Sequence, residues 1–165
     1  MQANAAAASA FGVLALMLSS CGGGDSAESA DKSGTDSGAQ RIEVADTSVG
    51  DVLVDKDGKT LYMFTKDVKG RKSVCAADCL AAWPPLGRAS AGDGTDSSLV
   101  GTIKRGDGST QATYDGWPLY YYVKDKARGD VTGQGVGAVW YAVGPDGNVV
   151  KKKPETGGTG GGGGY

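Results

Sequence analysis

Apolar positions come in short runs at residues 42–45, 52–55, 61–64, 99–104, 110–114, 119–123, 139–143 and 149–152, with glycine-bearing segments between them. Runs this short, broken by turn signals about every 8–12 positions, predict eight short strands. Asp57-Gly58 and Asp115-Gly116 each lie between two such runs. An Asp-Gly pair supplies the positive φ that a tight hairpin needs, so each half is predicted to build the same hairpin. Gly106-Asp107-Gly108 and Pro145-Asp146-Gly147-Asn148 mark further turns. Residues 73–83 are the exception, because Ala76, Ala77, Ala81 and Ala82 favour a short helix that Pro84-Pro85 ends. Within the strands, period-two alternation puts Tyr62 and Phe64 on one face and Leu61 and Met63 on the other, and it puts Tyr120 and Tyr122 together in the same way.

The chain repeats itself. Residues 57–67 align without a gap on residues 115–125, an offset of 58, and the match continues more loosely from Gly70 to Gly129 (offset 59) and from Trp83 to Trp140 (offset 57). A duplicated unit is the simplest source of such a pattern. With 29 glycines and one helical segment, the expected fold is mostly β: a small sandwich or barrel of two pseudo-symmetric repeat halves with one short helix. The repeats are expected over about residues 49–86 and 108–147.

Ahead of this domain lies an apolar run over residues 5–18, closed by Leu18-Ser19-Ser20-Cys21. The run is too short for a membrane-spanning helix, which needs about 20 apolar residues. A cleaved signal ending in a lipobox fits it, with residues 1–20 removed and Cys21 lipidated, and two or more acyl chains anchor stably. Residues 1–20 hold no Lys or Arg, which leaves the translation start open. Residues 21–40 then form a flexible linker with a reach of about 25 Å. Residues 41–154 form the folded domain, and residues 155–165 form a glycine-rich tail with nothing to bury.

Charge and residue usage exclude several functions. Lys plus Arg number 17 against 19 for Asp plus Glu, and Lys151-Lys152-Lys153 is too short a basic block to argue for nucleic acid. The chain has no histidine, which removes the usual general base and the commonest metal ligand. No catalytic set, resident metal or cofactor is therefore expected. Once Cys21 is lipidated, Cys75 and Cys79 remain, an even pair in an oxidising compartment. A disulfide requires the helix to begin or break between them, since β-carbons four apart on a regular helix stand about 5–6 Å apart, against about 3.5–4.5 Å in a bridge. The alternative is two thiolates, with Met63, holding Cu(I).

Two further groups carry open alternatives. Tyr62, Phe64, Tyr120 and Tyr122 either fill the core or form an aromatic platform for a flat ligand such as a quinone, flavin or sugar. Asp67 and Asp125 either accept backbone N–H bonds across their loops or pair as a site for Ca²⁺ or another cation. As a carboxylate pair about 5–9.5 Å apart they would also suit a glycan hydrolase. Gly133-Gln134-Gly135-Val136-Gly137-Ala138 fits a dinucleotide-binding pattern only superficially, because it leads into a strand and not a helix. A glycine loop that admits another backbone is the better expectation.

Tyr62-x-Phe64-x-x-Asp67 and Tyr120-x-Tyr122-x-x-Asp125 resemble the Y-x-[FWY]-x-x-D motif of bacterial lipoproteins that carry a "secreted repeat of unknown function". The likeness covers about residues 49–147. It includes Cys75 and Cys79 before Trp83-Pro84-Pro85-Leu86, Asp107-Gly108 with Gln111, Gly116 with Pro118-Leu119-Tyr120, and Gly133-Gln134-Gly135 before Trp140. The resemblance implies a lipid-anchored, two-repeat protein on the extracytoplasmic side of the bacterial cell membrane, and it implies no activity. The expected role is a non-enzymatic binding or scaffold module whose partners are the membrane and a small flat ligand or an envelope protein. The rival role is an accessory to envelope electron transfer, with Tyr62, Tyr120 and nearby rings beside a redox partner, or a protein that binds a soft metal or cofactor.

Overall fold

The structure, a computed structural model, describes residues 40–154. The signal segment, Cys21, the linker up to residue 39 and the tail lie outside the described residues. β1 (Gln40–Thr47) and β2 (Gly50–Asp55) form an antiparallel hairpin in which Thr47 faces Gly50 and Ile42 faces Asp55. Then come β3 (Tyr62–Phe64), α1 (Asp78–Ala82), β4 (Ala89–Ala91), β5 (Val100–Lys104), β6 (Thr110–Tyr114), β7 (Trp117–Pro118) and β8 (Trp140–Ala142). The strands make three small sheets, ordered β2-β1-β4, β3-β8 and β5-β6-β7. β4 runs parallel to β1, and the other pairs are antiparallel. The domain is thus mostly β with one short helix, and among the described residues no sheet closes into a barrel.

Alternation along the strands sorts the interior into two clusters. Tyr62 and Tyr120 enter one, with Val52, Val54, Trp83, Trp140 and Ala142, and Phe64 and Tyr122 pack against it. Leu61, Met63 and Leu119 turn the other way and join Ile42, Leu53, Leu86, Ala112, Tyr114 and Val143. One residue of slip would exchange the two sets, so burial on both sides fixes the register.

The repeat halves exchange partners. Leu53 N–H reaches Val143 O, Val143 N–H reaches Leu61 O, and Leu61 N–H reaches Leu53 O, at 2.8, 3.2 and 2.9 Å. Ala112, Leu86 and Leu119 close the same ring at 2.9, 2.9 and 3.0 Å. In each ring the hairpin of one repeat supplies two members and the other repeat supplies the third.

Four expectations are corrected. The run at 119–123 is not a regular strand. It lies along Ala82, Pro84 and Pro85, as β3 lies along β8, with Tyr121 N–H to Pro84 O at 2.8 Å and Val123 N–H to Ala82 O at 3.1 Å. Pro84 and Pro85 have no N–H to return, so the ladder is incomplete, and Leu86 N–H, just past them, answers to Leu119 O at 2.9 Å. The helix is shorter than residues 73–83, starting only at Asp78 after Ala77 takes a positive φ of 48°. The run at 149–152 contributes only the bridge from Val149 to Val143. The two Asp-Gly turns also differ. Asp115 and Gly116 both take positive φ (46° and 75°), whereas at Asp57-Gly58 only Gly58 does (76°), within a turn closed by Asp55 N–H to Lys59 O at 2.9 Å.

Candidate functional site

The two motif tyrosines meet where the halves join. Tyr62 and Tyr120 exchange backbone hydrogen bonds, N–H to O at 2.9 Å in both directions, which places the local pseudo-twofold between them. Both are fully buried, with no exposed surface. Their hydroxyls cross over: Tyr62 Oη donates to Asp125 Oδ2 and Tyr120 Oη donates to Asp67 Oδ2, each at 2.6 Å. Each tyrosine therefore bonds the aspartate of the other repeat.

The aspartates are held in turn by their own loops. Asp67 Oδ1 accepts Val74 N–H at 2.8 Å, and Asp125 Oδ1 accepts Thr132 N–H at 3.0 Å and Thr132 Oγ1 at 2.5 Å. Two glycine contacts repeat the crossing, with Gly129 N–H to Gly58 O at 3.0 Å and Gly70 N–H to Gly116 O at 2.7 Å. A side chain at Gly116 is disfavoured twice, by a φ of +75° and by a β-carbon that would stand 3.2 Å from Gly70 N. The Asp loops thus do accept backbone N–H groups, and the tyrosine that completes each one comes from the partner repeat.

The rings build a column over this junction. Trp83 and Trp140 stack at 3.9 Å and 3°. Phe64 stacks on the outer face of Trp140 at 4.3 Å, and Tyr122 on that of Trp83 at 4.2 Å. Tyr62 meets Trp83 edge-on at 5.4 Å, and Tyr120 meets Trp140 edge-on at 5.1 Å. Phe64 and Tyr122 are half-buried and end the column. An open platform for a flat ligand is not what these four rings form, because Tyr62 and Tyr120 are sealed beneath the tryptophans.

Burial dominates the electrostatics. It holds Asp67 above the ordinary carboxylate value, against the pull of the bonds from Tyr120 and Val74. Burial, then the bond to Asp67, pushes Tyr120 up to about 12, and burial with the bond to Asp125 raises Tyr62 as well. The halves differ in what lies beyond the pairs. Arg105 donates to Ser73 Oγ at 3.0 Å, and Ser73 Oγ lies 2.6 Å from Tyr120 Oη. Because Tyr120 gives its proton to Asp67, the chain runs Arg105, Ser73, Tyr120, Asp67. Arg105 also binds Gln111 Oε1 and the Cys75 carbonyl. On the other side the position equivalent to Ser73 is the buried Val131.

Cys75 and Cys79 are bridged, with α-carbons 5.3 Å apart. This removes the thiolates that a Cu(I) site with Met63 requires, and Met63 itself lies in the other cluster. Gly133 does admit a close neighbour, but the neighbour is aromatic: a β-carbon there would stand 2.8 Å from Tyr62 Cζ and 2.9 Å from Trp83 Cη2. A three-residue helical turn, Val136–Ala138, separates these glycines from β8.

A surface cleft of about 600 Å³ opens beside the Arg105 chain, and Arg71, Lys72, Lys104 and Arg105 stand along it with Asp107. Arg105 is half-buried, and the other three cations are exposed. Two features of these sites were missed in the sequence. The central Trp83 and Trp140 stand out in the sequence as a repeat pair, but nothing there signals that the two rings stack on one another. Ser73 and Arg105 lie outside the repeat pattern, and nothing in the sequence singles them out.

No curated protein and no solved structure matches the chain. A family model described as a secreted repeat of unknown function matches it twice, at residues 43–87 and 101–144, more than half its length, and each match contains one Tyr, one Asp and one Trp of the crossed site. The chain belongs to this family of secreted repeats, which function outside the cytoplasm.

Proposed function

We propose that this protein is a non-enzymatic binding module, lipid-anchored through Cys21 on the extracytoplasmic face of the cell membrane, whose domain engages an anionic partner in the envelope. The basic cleft carries this reading. Four cations line one surface hollow in a chain whose formal net charge is −2, so positive charge is concentrated locally against the average. The motif residues support a structural role: both aspartates and both tyrosines are engaged with one another at the repeat junction.

The test has two arms on the full chain. Labelled palmitate should enter the wild-type protein and not Cys21→Ala, and the variant should leave the membrane fraction. Purified protein should bind inorganic polyphosphate with an affinity that falls as salt rises, and Arg71→Glu/Lys72→Glu/Lys104→Glu should lose that binding. Unlabelled wild-type protein removes the anchor, and equal binding by the triple variant removes the cleft.

A further inference from the structure

The ring column goes beyond this reading. A core selected only for burial has no need of four co-facial rings, since aromatic pairs favour offset or edge-on contact at about 4.5–7 Å. Here Phe64, Trp140, Trp83 and Tyr122 stack in sequence at 4.3, 3.9 and 4.2 Å, and both end rings are half-buried at the surface. Each tryptophan also touches the edge of a buried tyrosine whose hydroxyl lies 2.6 Å from a carboxylate oxygen. The sulfur beside the column is already oxidised as the Cys75–Cys79 disulfide, and Met63 packs in the other cluster, so among the described residues no thiol or thioether packs against the column to compete for an oxidising equivalent.

We propose that this column is a hole relay, which accepts one oxidising equivalent from an outer-sphere one-electron oxidant at Phe64 or Tyr122 and holds it on Tyr62 or Tyr120 as a neutral radical. The oxidant, a high-potential metal centre of a partner protein, takes one electron from the stacked indoles. Tyr62 then returns one electron to Trp83 while its phenolic proton moves to Asp125 Oδ2. Tyr120, Trp140 and Asp67 do the same on the other side. One phenolic O–H bond breaks and one carboxylic O–H bond forms, the oxidant gains one electron and the tyrosine loses one. Burial raises both phenols, so neither sheds its proton to water, and a carboxylate in contact is the acceptor that makes the step feasible.

The experiment is flash photo-oxidation of the full chain with a ruthenium polypyridyl complex and persulfate, followed by transient absorption and electron paramagnetic resonance. The expected result is a neutral tyrosyl radical that grows in as the tryptophan radical decays, more slowly in D₂O, and that is lost in Tyr62→Phe/Tyr120→Phe, which keeps both rings. Trp117→Phe, outside the column, should leave it unchanged. An undiminished tyrosyl signal in the double variant overturns the proposal, because another tyrosine then carries the radical. An unchanged rate for the wild type in D₂O overturns it independently of how any variant folds.

Discussion

Tyr62 donates its hydroxyl to Asp125, 63 positions away, and not to Asp67, the aspartate of its own motif. The five-residue spacing of the motif therefore does not describe a local contact. It describes two half-sites, each completed by the other repeat through the same bond.

This crossing should appear as energetic coupling. Asp125→Ala leaves the buried Tyr62 O–H without an acceptor and frees the exposed Thr132 of its bonds to the carboxylate, and should cost about 2–3 kcal/mol, at about 1–3 kcal/mol for a buried donor left unsatisfied. Tyr62→Phe should cost about 2 kcal/mol. In a double-mutant cycle read by urea unfolding, Tyr62 should couple to Asp125 by about 1 kcal/mol or more and to Asp67 by no more than about 0.5 kcal/mol. Stronger coupling within one motif contradicts the crossed arrangement.

Alkali should unfold the domain through the same pairs. The Tyr120 phenol, ordinarily at 10.0, is held at about 12 in the folded protein, whereas the unfolded chain ionises at the ordinary value. The associated stability is complete below the unfolded value and is lost as pH rises through the folded one, on the order of 2 kcal/mol. Urea midpoints followed from about pH 9 to about pH 12 should fall, and Tyr120→Phe should make the fall shallower. Parallel curves would place the alkaline sensitivity elsewhere.

Gly133→Ala and Gly135→Ala separate two reasons for glycine. At Gly133 the added methyl meets Tyr62 and Trp83 ring atoms at 2.8–2.9 Å, and forcing it in should cost about 1–3 kcal/mol and change the near-ultraviolet dichroism. Gly135 has φ +75° and open space around it, so alanine there should cost about 1 kcal/mol of backbone strain and leave that spectrum unchanged. Equal spectral changes in the two variants would contradict this account of the ring packing.

Reduction of the Cys75–Cys79 bridge should lower stability by about 2 kcal/mol, the chain-entropy value for so short a loop. The domain should remain folded, since two clusters of buried apolar residues lie largely beyond that loop. Urea curves with and without reductant measure the difference, and global unfolding on reduction would show that the bridge carries more of the fold.

Much of this architecture was legible in the sequence. Alternation placed Tyr62 and Phe64 against Leu61 and Met63, and the structure keeps them in separate clusters. The conflict between helix and bridge at Cys75 and Cys79 resolves because the helix starts between them. Other features left no local trace. Periodicity cannot say which repeat supplies the partner of Asp67, since both halves carry the same residues. The run at 119–123 has strand composition, but its neighbour is Pro84-Pro85, so a property of another segment decides its state. β4 is only Ala89-Ser90-Ala91, too small and polar to announce a strand, and it forms because β1 offers it a parallel edge.

The crossed tyrosine–aspartate bonds also set how such a chain drifts over generations. A change at Tyr62 is answered at Asp125 and one at Tyr120 at Asp67, so the two copies are not free to diverge as independent modules. Inherited substitutions should travel as pairs linking the first copy to the second.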